Sequence, residues 1–136
     1  MTGLLLDTCA IIYAAQNSPK LEPARSAIDA AVRADELYVS PISAWEIGRL
    51  AALGRLAVAV APLAFFETFV AQAHARLAEL NADILIGSSF LPGEPHKDPM
   101  DRILMATARV LNIPLLTDDR AILAYSNGGH VKTLAC

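Results

Sequence analysis

At 136 residues the chain is long enough for one domain with a true hydrophobic core. Apolar residues make up 54% and charged residues 18%, a balance that excludes an intrinsically disordered chain. The net charge of −3 argues against a protein that coats nucleic acid with a basic surface, but leaves room for an enzyme that gathers its acids into one site.

The longest apolar run, LAVAVAPLAFF, is broken by Pro62 and is too short to span a bilayer. Asp7 interrupts the leading leucines and no basic segment precedes them, so the start does not read as a signal peptide. Cys9 and Cys136 make no disulfide framework. These features lead us to expect a single cytoplasmic domain over residues 1–136 with no membrane association.

In chain order, GLLL (3–6) reads as a short buried strand, followed by Asp7 and a helical TCAIIYAA. A helix is predicted over 23–34 with Pro23 near its start, and a second strand over 37–40. The segment 41–53 reads as a helix capped by Ser40, with Pro41 at its first position and Gly54 as its stop. PLAFFETFVAQA is helical in pattern, ARLAEL is assigned a short strand, and NADILIGSSF opens on a cap at Asn81. The loop LPGEPHKDP leads into a helix over 99–111, capped by Asp98 and ended by NIP. A strand over 114–117, a helix over 119–126 and a strand over 131–134 complete the chain. Short apolar runs alternating with helices imply βαβ units and a mostly parallel sheet covered on both faces. In such sheets, sites form beyond the carboxyl ends of the strands.

Acids fall at that edge from four distant segments. Asp7 follows the first strand, Glu46 lies in the helix after the second, Asp101 in the first turn of 99–111, and Asp118 and Asp119 just beyond the strand 114–117. Each has an ordinary structural role open to it. Asp7 suits a turn, Glu46 fits a capping box if Ser43 is the cap, and Asp118 and Asp119 compete to cap the next helix. Asp101 is placed to reach back to the Asp98 N–H. Together, however, these acids supply the oxygen ligands that Mg²⁺ or Mn²⁺ prefers. On a helical wheel Asp101 lies near Leu104 and Ala108, where a carboxylate is costly without a compensating positive charge.

The blocks LLLDTCAIIY, VSPISAWEIG, LPGEPHKDPMDRILMATARVLNIPLLTDDRAILAY and VKTL together resemble the PIN-domain ribonucleases, specifically the VapC-like toxins of bacterial type II toxin–antitoxin pairs. The resemblance implies a three-layer α/β/α fold with a central sheet of about five strands, and endonucleolytic cleavage of RNA at a Mg²⁺ or Mn²⁺ site. It places the family's acids on Asp7, Glu46, Asp101 and Asp119, selecting Asp119 over Asp118 by its distance from Thr117. It adds Thr8 and Thr117 as hydroxyl residues beside the site. Asp7 and Asp101 are the expected innermost ligands, with Glu46 and Asp119 holding a second metal or orienting water. Arg102 is the foremost candidate phosphate contact, ahead of Lys97 and Arg49. The resemblance further implies a homodimer restrained by a small antitoxin whose tail lies in an apolar groove near the site.

No P-loop, G-x-G-x-x-G or G-x-S-x-G motif is present, and the three histidines show no zinc spacing. His96 reads as a loop residue before a helix. The rival expectation is a non-catalytic receiver-like α/β domain that binds Mg²⁺ for signalling. That would need a central-strand aspartate and a lysine after a late strand, whereas Lys132 falls inside the last predicted strand.

Overall fold

Three consecutive leucines organise the computed structural model, which describes residues 2–136. Successive side chains of a strand point to opposite faces. Leu4 and Leu6 therefore join Ile11, Val39, Ile47 and Phe66 in one buried core, while Leu5 joins Leu104, Met105, Leu115 and Ile122 in another. Two cores on opposite faces of one sheet make three layers, α/β/α, as the sequence predicts.

The order is β1 (Leu4–Leu6), α1 (Thr8–Ala15), a 3₁₀ turn (Pro19–Ala24), α2 (Arg25–Arg33), β2 (Leu37–Val39), α3 (Pro41–Ala52) and α4 (Pro62–Gln72). Then come β3 (Arg76–Leu77), α5 (Ala82–Gly87), a 3₁₀ turn (Ser88–Phe90), α6 (Pro99–Leu111), β4 (Leu115–Thr117), α7 (Arg120–Ser126) and β5 (Thr133–Ala135). The strands lie in the order β3-β2-β1-β4-β5 and every pairing is parallel. The order reverses between β1 and β4, and the crevice at such a switch point is where ligands of open parallel sheets bind. A receiver-like sheet would run 2-1-3-4-5. The observed order sets that rival aside.

Several local expectations meet their physical test here. Ser40, not Ser43, caps α3: its Oγ accepts the Ile42 N–H at 3.1 Å, and Pro41 follows at the first position. α6 has the expected bounds and ends at Asn112, which takes a left-handed φ of 53°. The helix expected over 23–34 begins only at Arg25, because the residue before a proline disfavours helical backbone and the chain around Pro23 instead forms the 3₁₀ turn. The last strand lies at 133–135 rather than 131–134. Pairing Leu115 with Thr133 and Thr117 with Ala135 sets that register, and Val131 is buried in the core around Leu5. Among the described residues, no helix is long and apolar enough to cross a membrane.

Candidate metal centre

The switch-point crevice is a cavity of about 300 Å³ that gathers Asp7, Glu46, Asp101, Asp118 and Asp119, together with Thr8, Cys9, Asp98 and His96. The fold thus brings together the four acids expected from the sequence, drawn from the end of β1, from α3, from the start of α6 and from the end of β4.

Helix capping puts three carboxylates where they are. Asp7 caps α1, its Oδ1 accepting the Ala10 N–H at 2.9 Å. Asp119 caps α7, its Oδ1 accepting the N–H groups of Ala121 at 2.8 Å and Ile122 at 3.0 Å. Asp98 caps α6 through the N–H groups of Met100 and Asp101. Capping and cation binding are therefore not alternatives for Asp119, whose Oδ2 remains turned toward His96. Asp101 does not complete a capping box, because the Asp98 N–H is donated to His96 Nδ1 at 3.0 Å.

The electrostatics fit a cation. Burial pushes the Asp101 carboxyl up to about 7, helped by repulsion from Asp98, Asp119, Glu46 and Asp7. Burial also raises Asp7, although hydrogen bonds from Cys9, Thr117 and the Ala10 N–H work the other way. Among the described residues lining the cavity, none is a lysine or arginine. Carboxylates that repel one another so strongly, and that supply most of the polar atoms facing the space, fit a hard divalent ion.

Asp118 lies beside these acids but is engaged elsewhere. Burial raises its carboxyl, yet hydrogen bonds from Cys9 Sγ and Tyr13 Oη and the nearby Lys20 charge outweigh that and hold it below the ordinary value. The Thr117 hydroxyl accepts the Asp119 N–H at 3.0 Å. Thr8 is buried and donates to Ser43 Oγ at 3.0 Å, tying α1 to α3.

The arginines and the histidine sit differently from expectation. Arg102 is no free phosphate contact: its Nε donates to the His96 carbonyl at 2.8 Å and its guanidinium also reaches the Ser88 carbonyl. Its position one residue after Asp101 points it away from the cavity and onto the loop. Arg49 lies over the Trp45 ring, and Lys97 is exposed outside the lining. His96, which the sequence suggested only as a loop residue, instead puts Nε2 3.7 Å from Asp101 Oδ2 and 4.0 Å from Asp119 Oδ2. The signal that could have found it is its spacing, two residues before the capping Asp98, where a ring nitrogen can accept the cap's N–H.

Fold and site together define an α/β domain with an acidic pocket at the switch point of a parallel sheet. The chain belongs to the PIN domain family, whose profile matches residues 4–127. It is 30% identical over 125 residues to Ribonuclease VapC22 of Mycobacterium tuberculosis, an alignment spanning 92% of this chain and 93% of that protein. In fold it is similar to the crystal structure of VapBC2 from Rickettsia felis bound to a promoter DNA fragment, with a TM-score of 0.70, 12% identity and 97% of each chain covered. The DNA-bound VapBC of Salmonella typhimurium gives a TM-score of 0.65 at 18% identity over 99% of this chain and 98% of that one.

Proposed function

We propose that this protein is an endoribonuclease, the toxin of a toxin–antitoxin pair, which hydrolyses RNA phosphodiester bonds with a divalent cation held by Asp7, Glu46, Asp101 and Asp119. The observation that carries this is the convergence of those carboxylates in one cavity, with Asp101 pushed to about 7 and no basic side chain among the described lining residues. Membership of the PIN family and the likeness to a ribonuclease support the reaction class. Mg²⁺ is the proposed ion and Mn²⁺ a substitute. When bound, such an ion activates a water for attack and offsets charge gathering on the phosphate.

The chain's own residues prepare that chemistry. Helix caps fix Asp7 and Asp119 before any ligand arrives, so little reorganisation is needed on binding. Thr117 steadies both through its hydroxyl. One carboxylate of the cluster accepts the attacking water's proton.

The proposed partner is a small antitoxin. An apolar groove of about 470 Å³, lined by Leu6, Ile28, Val32, Phe65 and Phe69 among others, suits the apolar side chains of such a tail, although it shares no lining residue with the acidic cavity that the tail was expected to lie near. The exposed Phe90 and Val110 share a shallow pocket that suits self-association as a homodimer. The test is incubation of labelled RNA with the parent and Asp101→Asn proteins in EDTA, Mg²⁺ and Mn²⁺, with sequencing of the fragment ends. The parent should cut internally only with a cation. The variant should lose roughly a hundredfold or more, the scale of removing one charge-stabilising group. Equal cutting by the variant in Mn²⁺ would refute the site.

A further inference from the structure

His96 lies within reach of Asp101 and Asp119, and the ligating atoms of all three fall within 4.8 Å of one another. By distance alone it would be counted as a third ligand of a cation. Its hydrogen bonds argue otherwise. The Asp98 N–H is donated to His96 Nδ1 at 3.0 Å, so that nitrogen carries a lone pair and no proton. A neutral imidazole has a single N–H, which must then be on Nε2. A protonated nitrogen has no lone pair to give a metal. Histidines that ligate metals through Nε2 show the reverse pattern, with Nδ1 donating its own N–H to an acceptor.

The ring is also anchored at its backbone. The His96 carbonyl accepts from Arg102 Nε at 2.8 Å, and the same guanidinium reaches Ser88 across the loop. At 3.7 and 4.0 Å, neither nearby carboxylate is within hydrogen-bond distance of Nε2. The N–H thus faces the cavity with no acceptor recorded among the described residues.

We propose that His96 is a fixed Nε2–H donor to a non-bridging oxygen of the scissile phosphate, and not a ligand of the cation. This inference rests on the RNA-cleaving function proposed above. Without a lysine or arginine among the described lining residues, a neutral donor is a suitable partner for a phosphate that must approach six acids. A donor aimed where negative charge accumulates contributes most in the transition state.

The discriminating variant is His96→Asn. Asparagine Oδ1 takes the place of Nδ1 as acceptor for the Asp98 N–H, an i to i+2 turn that asparagine favours, while the distal donor is lost. Mn²⁺ affinity, measured by calorimetry, should stay within about threefold of the parent, whereas RNA cleavage should fall roughly a hundredfold. A tenfold or greater loss of Mn²⁺ affinity, or unchanged cleavage, would overturn the proposal. A measurement on the parent needs no variant: long-range ¹⁵N–¹H correlation should place the His96 proton on Nε2 both without metal and in saturating Mg²⁺. A proton moving to Nδ1 on adding Mg²⁺ would make His96 a ligand and overturn the proposal. A parent that cuts no RNA overturns the functional reading and this inference together. A parent that cuts, with His96→Asn equally active, overturns this inference alone.

Discussion

The carboxylate of Asp119 has one oxygen on the Ala121 and Ile122 N–H groups and the other turned toward His96. Asparagine keeps the capping oxygen and loses the charge. Asp119→Asn should therefore leave the empty protein as stable as the parent or more so, because repulsion within the cluster is relieved. Thermal unfolding in EDTA checks this, and a loss of about 1–2 kcal/mol, the size of a lost cap, would mean the charge itself is structural. Asp101 gives a pH signature of its own. Its folded value of about 7 lies above the ordinary carboxyl value near 4 in the unfolded chain, so the folded state binds the extra proton between them. Stability of the empty protein should fall as pH rises from about 4 to about 7 and level off above. Asp101→Asn should flatten that slope, measured as urea midpoint against pH in EDTA. A slope unchanged in the variant would place its source elsewhere. Cation binding, which needs the ionised carboxylate, should strengthen over the same interval.

At the level of the element, α6 and the loop before it act as one unit. Asp98 caps the helix, donates its N–H to His96, and precedes Pro99 at the first helical position. Arg102 reaches back from the second turn to the His96 carbonyl in the loop and the Ser88 carbonyl in the 3₁₀ turn before it. Arg102→Ala should speed amide hydrogen exchange in residues 91–97 severalfold while leaving β1 and β4 protected. Uniform exchange across the chain would show that the arginine is a surface charge only. Asp98→Ala should cost about 0.5–2 kcal/mol and Asp98→Asn much less. The cap, the proline and the bounds of α6 are legible in the sequence because they depend on neighbours along the chain. Likewise the strands Leu4–Leu6 and Leu37–Val39 announce themselves as apolar runs. The roles of Arg102 and His96 are not legible there. Each depends on where a loop closes, and a basic side chain beside an acidic motif looks the same whether it holds a phosphate or a carbonyl. Likewise, the choice between cap and cavity for Asp119 could not be made from spacing, since the folded chain makes both.

For the whole molecule, the strand order places β1 between β2 and β4 and so joins segments more than a hundred residues apart. An ion held by Asp7, Glu46, Asp101 and Asp119 binds the native chain and not the unfolded one, which lacks their convergence. Mn²⁺ at a hundred times its dissociation constant should then stabilise the parent by about 2.7 kcal/mol, and Asp101→Asn much less. Melting curves against Mn²⁺ concentration test this, and a parent indifferent to the ion would remove the metal from the proposal. The same strand order also sets a timetable during synthesis. β1 and β2 are available to pair once the first third of the chain has emerged from the ribosome, but the crevice has only one wall until β4 arrives beside β1. Asp101 and Asp119 follow in the last part of the chain, so a nascent chain carries only two of the four acids until residue 101 and lacks the fourth until residue 119. The acid set of a chain built this way is complete only once β4 has paired with β1 and Asp119 has followed it. That interval gives a partner bound at an early-formed surface, such as the groove of α1, α2 and α4, its chance to arrive before the activity does.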